Sequence, residues 1–179
     1  MTFIIQQIMN NRTIFLFLSL AMILIQSCLS TAKLSEFPKS VTGFDFDKIA
    51  NSKKTDKDHG WNVKTGFEYY LKTNVADDSV IVQAITGAMK SEGFKIEIAD
   101  EDHGAILGER GMRANEWNSV AGVYYKKANE GYEMYVNCKI TQDFTGGWRE
   151  DRAKKIGDKI CELLKNCLQS YSVNTTSSN

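Results

Sequence analysis

The residues best suited to chemistry stand in one run, Asp100-Glu101-Asp102-His103. Three carboxylates and an imidazole are donors of the kind that hold Ca²⁺ or a transition metal, and they would form the centre of a metal-dependent hydrolase. Their spacing matches no metal-binding loop, and the calcium pattern of alternating acidic ligands is absent. The plainer reading is a hairpin turn with solvated acids and Gly104 at a positive φ. His59 and His103 each stand in an Asp-His-Gly triplet, Asp58-His59-Gly60 and Asp102-His103-Gly104. A carboxylate can orient an imidazole for base catalysis. Adjacent side chains in a turn or strand point apart, however, and no serine or cysteine nucleophile motif accompanies the pair. Both triplets read as surface turns. The sequence therefore assigns no catalytic residue, no metal and no cofactor.

Cysteine is the other reactive type, with 4 in the chain. There is no Cys-x-x-Cys, which speaks against redox catalysis and a zinc site. Cys161 and Cys167 are six apart; placed on one helix they fall on different faces, too far for a bridge. Cys138 could pair with Cys161 or Cys167 in an oxidising compartment, since its strand face meets that helix. Equally, all three are small apolar side chains suited to a core. Gly146-Gly147, ahead of a helix, could offer free N–H groups to an anion. No Gly-Lys-Ser/Thr follows, so the run reads as a strand-to-helix turn, with Trp148 stapling the helix to the core.

The elements that must position these residues come from hydrophobic periodicity. Trp61, Val63, Thr65, Phe67, Tyr69 and Leu71 alternate with polar neighbours, a half-buried strand. Asp77-Asp78 open a helix whose apolar stripe is Val80, Ile81, Ala84, Ile85, Ala88 and Met89, and Gly93 stops it. Phe94, Ile96 and Ile98 then alternate, and Ala105 to Arg110 return. A second strand pair runs over 119–127 and 132–142, joined by Ala128-Asn129-Glu130-Gly131. The last helix starts near Trp148 and carries the stripe Ala153, Ile156, Ile160, Leu163, Leu164 and Cys167. The order β-α-β-β-β-β-α predicts an α+β two-layer sandwich: an antiparallel sheet of about four to five strands with both helices on one face. The other face would be open. It would carry Tyr135 and Tyr125 or Tyr70, a surface that, with Trp148, could bind a protein, peptide or glycan.

With 22 basic against 22 acidic residues the chain is neutral, and charge gives no reason to expect nucleic acid. Residues 14–25 are an uncharged, mostly apolar run behind Arg12, short for a membrane span and right for the hydrophobic region of a signal peptide. Met9 would be a more conventional start than Met1. The run ends in Ile25-Gln26-Ser27-Cys28, which resembles the lipobox of bacterial lipoproteins: an aliphatic residue three before the cysteine and a small one just before it. Gln26 departs from the usual small or aliphatic residue. The resemblance covers only the first 28 residues. It implies that the leader is cut before Cys28, whose thiol is acylated, giving stable attachment to a bilayer. Leu29, where an acidic residue would favour inner-membrane retention, favours the outer membrane. An ordinary secretory signal, cut for example after Ala32, is the alternative.

The resulting organisation is a signal peptide over 1–27, a lipid-anchored polar tether over 28–60, a domain over 61–171 and a disordered tail over 172–179. The element order resembles small envelope lipoproteins that support outer-membrane assembly. It implies a non-enzymatic binding or assembly-support module with the bilayer, and an envelope protein, as its partners. The alternatives are a soluble secreted effector or inhibitor, or the hydrolase around His103.

Overall fold

Tyr132, Met134, Val136 and Cys138 alternate with polar neighbours, and an extended chain of that period buries one face. In the computed structural model, which describes residues 32–52, 66–112, 118–141 and 151–173, they lie on strand β5 (Tyr132–Ile140). The other strands are β1 (Gly66–Thr73), β2 (Lys95–Asp100), β3 (Ala105–Arg110), β4 (Ser119–Lys127) and β6 (Cys167–Ser172). They form one antiparallel sheet in the order β2-β3-β4-β5-β1-β6. An N-terminal arm of two 3₁₀ turns, Leu34–Glu36 and Val41–Gly43, leads into a short helix α1 (Phe46–Ala50). Helix α2 spans Asp78–Ser91 and α3 spans Arg152–Leu164. The fold is α+β, with six strands where four to five were expected and a third helix in the arm.

Each end of α2 is set by local chemistry. Asp77 Oδ1 accepts from Ser79 N at 2.8 Å and Val80 N at 3.3 Å, satisfying two N–H groups that have no partner within the helix. At the other end Gly93, at φ 83°, donates to Lys90 O and Phe94 donates to Met89 O, a Schellman closure. The helix buries Ile81, Ala84, Ile85, Ala88 and Met89. Asp151 caps α3, accepting from Lys154 N at 2.8 Å. The described part of this helix begins at Arg152, four residues beyond the expected start near Trp148.

The end of α3 departs most from expectation. Cys167 does not continue the helical stripe. Lys165 turns into the left-handed region at φ 55°, and the chain reverses into β6, which pairs with β1. That reversal brings Cys161 and Cys167 to a Cα separation of 5.4 Å, and they form a disulfide. The bridge judged out of reach along one helix is thus formed, because the two residues lie on different elements. Among the described residues Cys138 is the free thiol, fully buried on β5. Ser172 is still paired with Tyr69 and Val173 is buried, so the tail expected from 172 begins no earlier than 174.

The sheet is covered on both faces. Phe67, Tyr69 and Leu71 of β1, Ile106 of β3, Ala121, Val123 and Tyr125 of β4, and the apolar row of β5 pack under α2 and α3. The opposite face carries Tyr70, Leu107, Val120, Tyr124, Tyr135 and Tyr171, and the arm packs on it through Ala32, Phe37, Phe46 and Ile49. The polar tether expected over 28–60 is therefore docked over 32–52, as a third layer. On β2 a register shift between Ile96 and Ile98 sends the first to the helix side and the second to the arm side, where simple alternation had placed both on one face.

Helix α3 lies close on β1 because Gly157 has no side chain. A Cβ there would stand 2.1 Å from Tyr69 Cδ1. The Tyr69 ring fills the space, and its hydroxyl donates to Asp158 Oδ1 at 2.6 Å. Gly157→Ala is expected to push α3 off the sheet and lower unfolding free energy by about 2 kcal/mol in urea titrations. Gly87→Ala on α2, where the nearest atom is the flexible Leu163 Cδ1 at 3.4 Å, should be neutral or stabilising through helix propensity.

Candidate functional site

The tyrosine-bearing sheet face was the expected binding surface, and the structure shows how it is occupied. Tyr124 stands on β4 opposite Tyr135 on β5, as register partners. Their ring centroids lie 6.4 Å apart, with the planes inclined by 29°. Phe44 of the arm sits over both, 4.2 Å from the Tyr124 centroid and 5.0 Å from that of Tyr135. Such tilted aromatic contacts add to the area they bury. Tyr135 is 3% exposed, and burial together with the nearby Glu68 carboxylate holds its phenol far above the usual value. The open face is thus absent, and Tyr135 is a core residue beneath the arm.

Tyr125 does not share that face. Alternation on β4 turns it toward the helices, where it is 5% exposed and its ring lies 6.1 Å from Tyr132. Its hydroxyl has no hydrogen-bond partner among the described residues. Burial, with the negative charges of Glu101, Asp78, Asp100 and Asp102 around it, pushes the phenol up to about 12. Tyr125 is therefore not the exposed contact expected for a binding face. Tyr70, the third candidate of that group, is buried on the arm side with its ring 5.3 Å from that of Tyr171. Trp148, Cys28 and His59 lie outside the described residues.

Polar links run from the arm to the sheet at several points. Ala32 N donates to Thr141 Oγ1 at 3.1 Å, and Thr141 Oγ1 in turn donates to Asn118 Oδ1. Tyr124 Oη donates to Pro38 O at 2.9 Å, Val41 N to His103 O at 2.9 Å, and Tyr171 Oη to Ala50 O at 2.5 Å. Lys139 Nζ lies 3.3 Å from Glu36 Oε2. The bonds at Thr141, Tyr124 and Tyr171 use hydroxyls of buried residues, so they fix the arm as well as cover the core.

His103 lies in the turn between β2 and β3, as the spacing predicted, with Gly104 at φ 61°. Its Nδ1 stands 2.9 Å from Asp100 Oδ1, and the His103 backbone N–H donates to the same oxygen at 3.1 Å. The imidazole is 64% exposed. Asp100 serves as the Asx-type acceptor that closes the turn, and the His103 contact holds its carboxyl below the usual range. Among the described residues no group of three or more histidine, cysteine, aspartate or glutamate side chains is placed to hold a metal ion. Turn geometry brings this cluster together.

Asp78 is a second acidic contact near this end of the sheet. It accepts from Tyr132 Oη at 2.5 Å and pairs with Lys127 Nζ at 3.0 Å. Arg152 joins the two helices, its Nη1 lying 3.2 Å from Glu92 Oε2 with the guanidinium almost wholly buried. No family model matches the chain, and no curated protein matches it.

Two expectations follow. Phe44→Ala should cost about 2 kcal/mol of stability, less than for a fully buried ring, and should raise binding of a dye that reports exposed apolar surface. The Tyr132 hydrogen bond, followed by Lys127, lowers the Asp78 pKa. A carboxyl with a lowered folded pKa stabilises the protein above the usual carboxylate range, and that contribution is lost as pH falls through the lowered value. Denaturant titrations from neutral to acid pH should therefore show a shallower acid limb for Asp78→Asn than for the native chain.

Proposed function

We propose that the chain is an exported protein of the cell envelope, acylated at Cys28 and acting as a binding or assembly-support module, not as an enzyme. The observation that carries export is the Cys161–Cys167 disulfide. Such bonds persist in oxidising compartments and are rare in a reducing cytosol. The apolar run behind Arg12, ending in Ile25-Gln26-Ser27-Cys28, supplies the matching route and the lipid-bearing thiol. Leu29 favours the outer membrane over the inner. Near-neutral charge points away from nucleic acid and leaves the bilayer and an envelope protein as partners.

A binding role is favoured by how polar groups between elements are used. Asp158 with Tyr69, Asp78 with Tyr132, and Glu92 with Arg152 each join two elements of the scaffold. The result is a rigid support of the kind on which recognition surfaces are held.

The test is a thiol count beside an intact mass, on protein extracted from membranes. Unreduced and denatured, the protein should take up an alkylating agent at Cys138 alone. After reduction it should do so at Cys138, Cys161 and Cys167, with Cys28 blocked by lipid and the leader gone. Cys28→Ala should abolish the acyl mass. Alkylation at all 4 cysteines without reduction would overturn export. A leaderless protein without acyl mass, unaltered by Cys28→Ala, would make the soluble secreted reading the right one.

A further inference from the structure

The docked arm sets an upper limit on how far Cys28 can lie from the sheet. Ala32 is buried, and its N–H is bonded to Thr141 at the end of β5. Thr141 N donates to Asn118 O, Ser119 pairs with Ile140 and with Arg110, and Gly66 pairs with Lys139. One end of the sheet therefore gathers the start of β1, the end of β3, the start of β4, the end of β5 and the docked Ala32. Three residues lie between Cys28 and Ala32, which are four Cα-to-Cα steps apart. Fully extended, that length reaches about 14 Å. Strand β4, with 9 residues, is about 30 Å long. The tether is thus less than half the length of the sheet it would hold.

We propose that, resting on the acylation of Cys28, the domain is held directly against a lipid surface by this end of the sheet, instead of swinging on a long tether. Two features of the described residues fit. Met112, two residues past the end of β3, is 68% exposed, and Lys33 beside Ala32 is exposed as well. An apolar side chain and a flanking lysine suit the boundary between acyl chains and anionic headgroups. The opposite end is acidic. Asp77, Asp78, Asp100, Glu101, Asp102 and Glu130 lie at the start of α2, in the β2–β3 turn and in the β4–β5 link, and they outnumber Lys126, Lys127 and Lys165 at this end. An anionic membrane repels that end, so charge and tether length select the same orientation. The outward end, with its acids and His103, then faces any envelope partner.

The experiment uses the full acylated protein in vesicles of phosphatidylethanolamine and phosphatidylglycerol whose acyl chains carry bromine, a contact quencher. A fluorophore is placed through Met112→Cys, and in separate samples through Lys33→Cys and Glu130→Cys. Cys138 is fully buried and stays unlabelled in the folded protein. Loss of fluorescence is expected at 112 and 33 and not at 130. Inserting a Gly-Ser linker of about 15 residues after Ser30 should abolish that loss while the protein still floats with the vesicles. Equal quenching at both ends, stronger quenching at 130, or quenching that survives the linker would overturn the orientation with anchoring intact. Protein that fails to float would overturn the lipid anchor itself, and the orientation with it.

Discussion

Tyr70, Tyr124 and Tyr135 stand on the sheet face turned away from the helices, and the need to bury them governs the rest of the structure. A sheet with one polar face can stop at two layers, but this one cannot. Tyr124 and Tyr135 are wide rings on neighbouring strands, and Leu107 and Val120 extend the same apolar surface across β3 and β4. Leaving that surface wet would forfeit burial and invite association. The arm meets the need with apolar side chains supplied in irregular order, Phe37, Phe44, Phe46 and Ile49, because short turns and one brief helix can follow the twist of the sheet. Hydroxyl-to-carbonyl bonds at Pro38 and Ala50 then fix the cover in place.

Strand β6 belongs to the same solution. Tyr171 packs on Tyr70 and reaches the arm at Ala50, so the last strand extends the covered face beyond β1 and meets the end of α1. Its position requires α3 to stop within a turn of Cys161, which the left-handed Lys165 achieves. The disulfide ties the turn at the point where a fraying helix end would otherwise release the edge strand. On the other side of the sheet, Gly157 lets α3 sink onto the Tyr69 ring. One helix is therefore seated by an absent side chain at its middle and a covalent bond at its end.

The parts legible in the sequence were those with a sustained period. The α2 stripe, its Asp77 cap and its Gly93 stop, and the β5 alternation each involve many residues agreeing on one geometry. The arm was visible only as scattered apolar residues inside a polar stretch, because irregular structure leaves no period to detect. Its docking changed the fate of Tyr135 from surface to core. Strand β6 failed for another reason: Cys167 fits a helical stripe continued from Leu163 and Leu164, and only the backbone turn at Lys165 breaks the series. Once the helix was extended, the bridge between Cys161 and Cys167 looked impossible. The signal that could have corrected both was Tyr171 and Val173, two apolar residues at period two astride the start of what reads as a polar tail. The His103 turn was legible because Asp100 and Gly104 are turn residues with a local mechanism that no distant contact can override.

The arm has two consequences that are hard to separate. It covers an apolar face, and it carries the chain toward Cys28, the site proposed for the lipid. A module on a free tether can lose its tether without losing its fold, since the two share no core. Here residues 32–52 are part of the core, with Phe46 and Ile49 buried as fully as residues of the sheet. A force applied at Cys28 would be borne first by the Ala32–Thr141 hydrogen bond and next by Phe37 and the aromatic layer beneath Phe44. If Cys28 is acylated as proposed, attachment and folding are coupled through one surface. A change that loosens Phe44 from Tyr124 would then lengthen the proposed tether, and a clasp that strengthens the contact would shorten the reach of the domain. The same short segment sets stability and access to the tyrosine face and, under the proposed acylation, distance from the anchor.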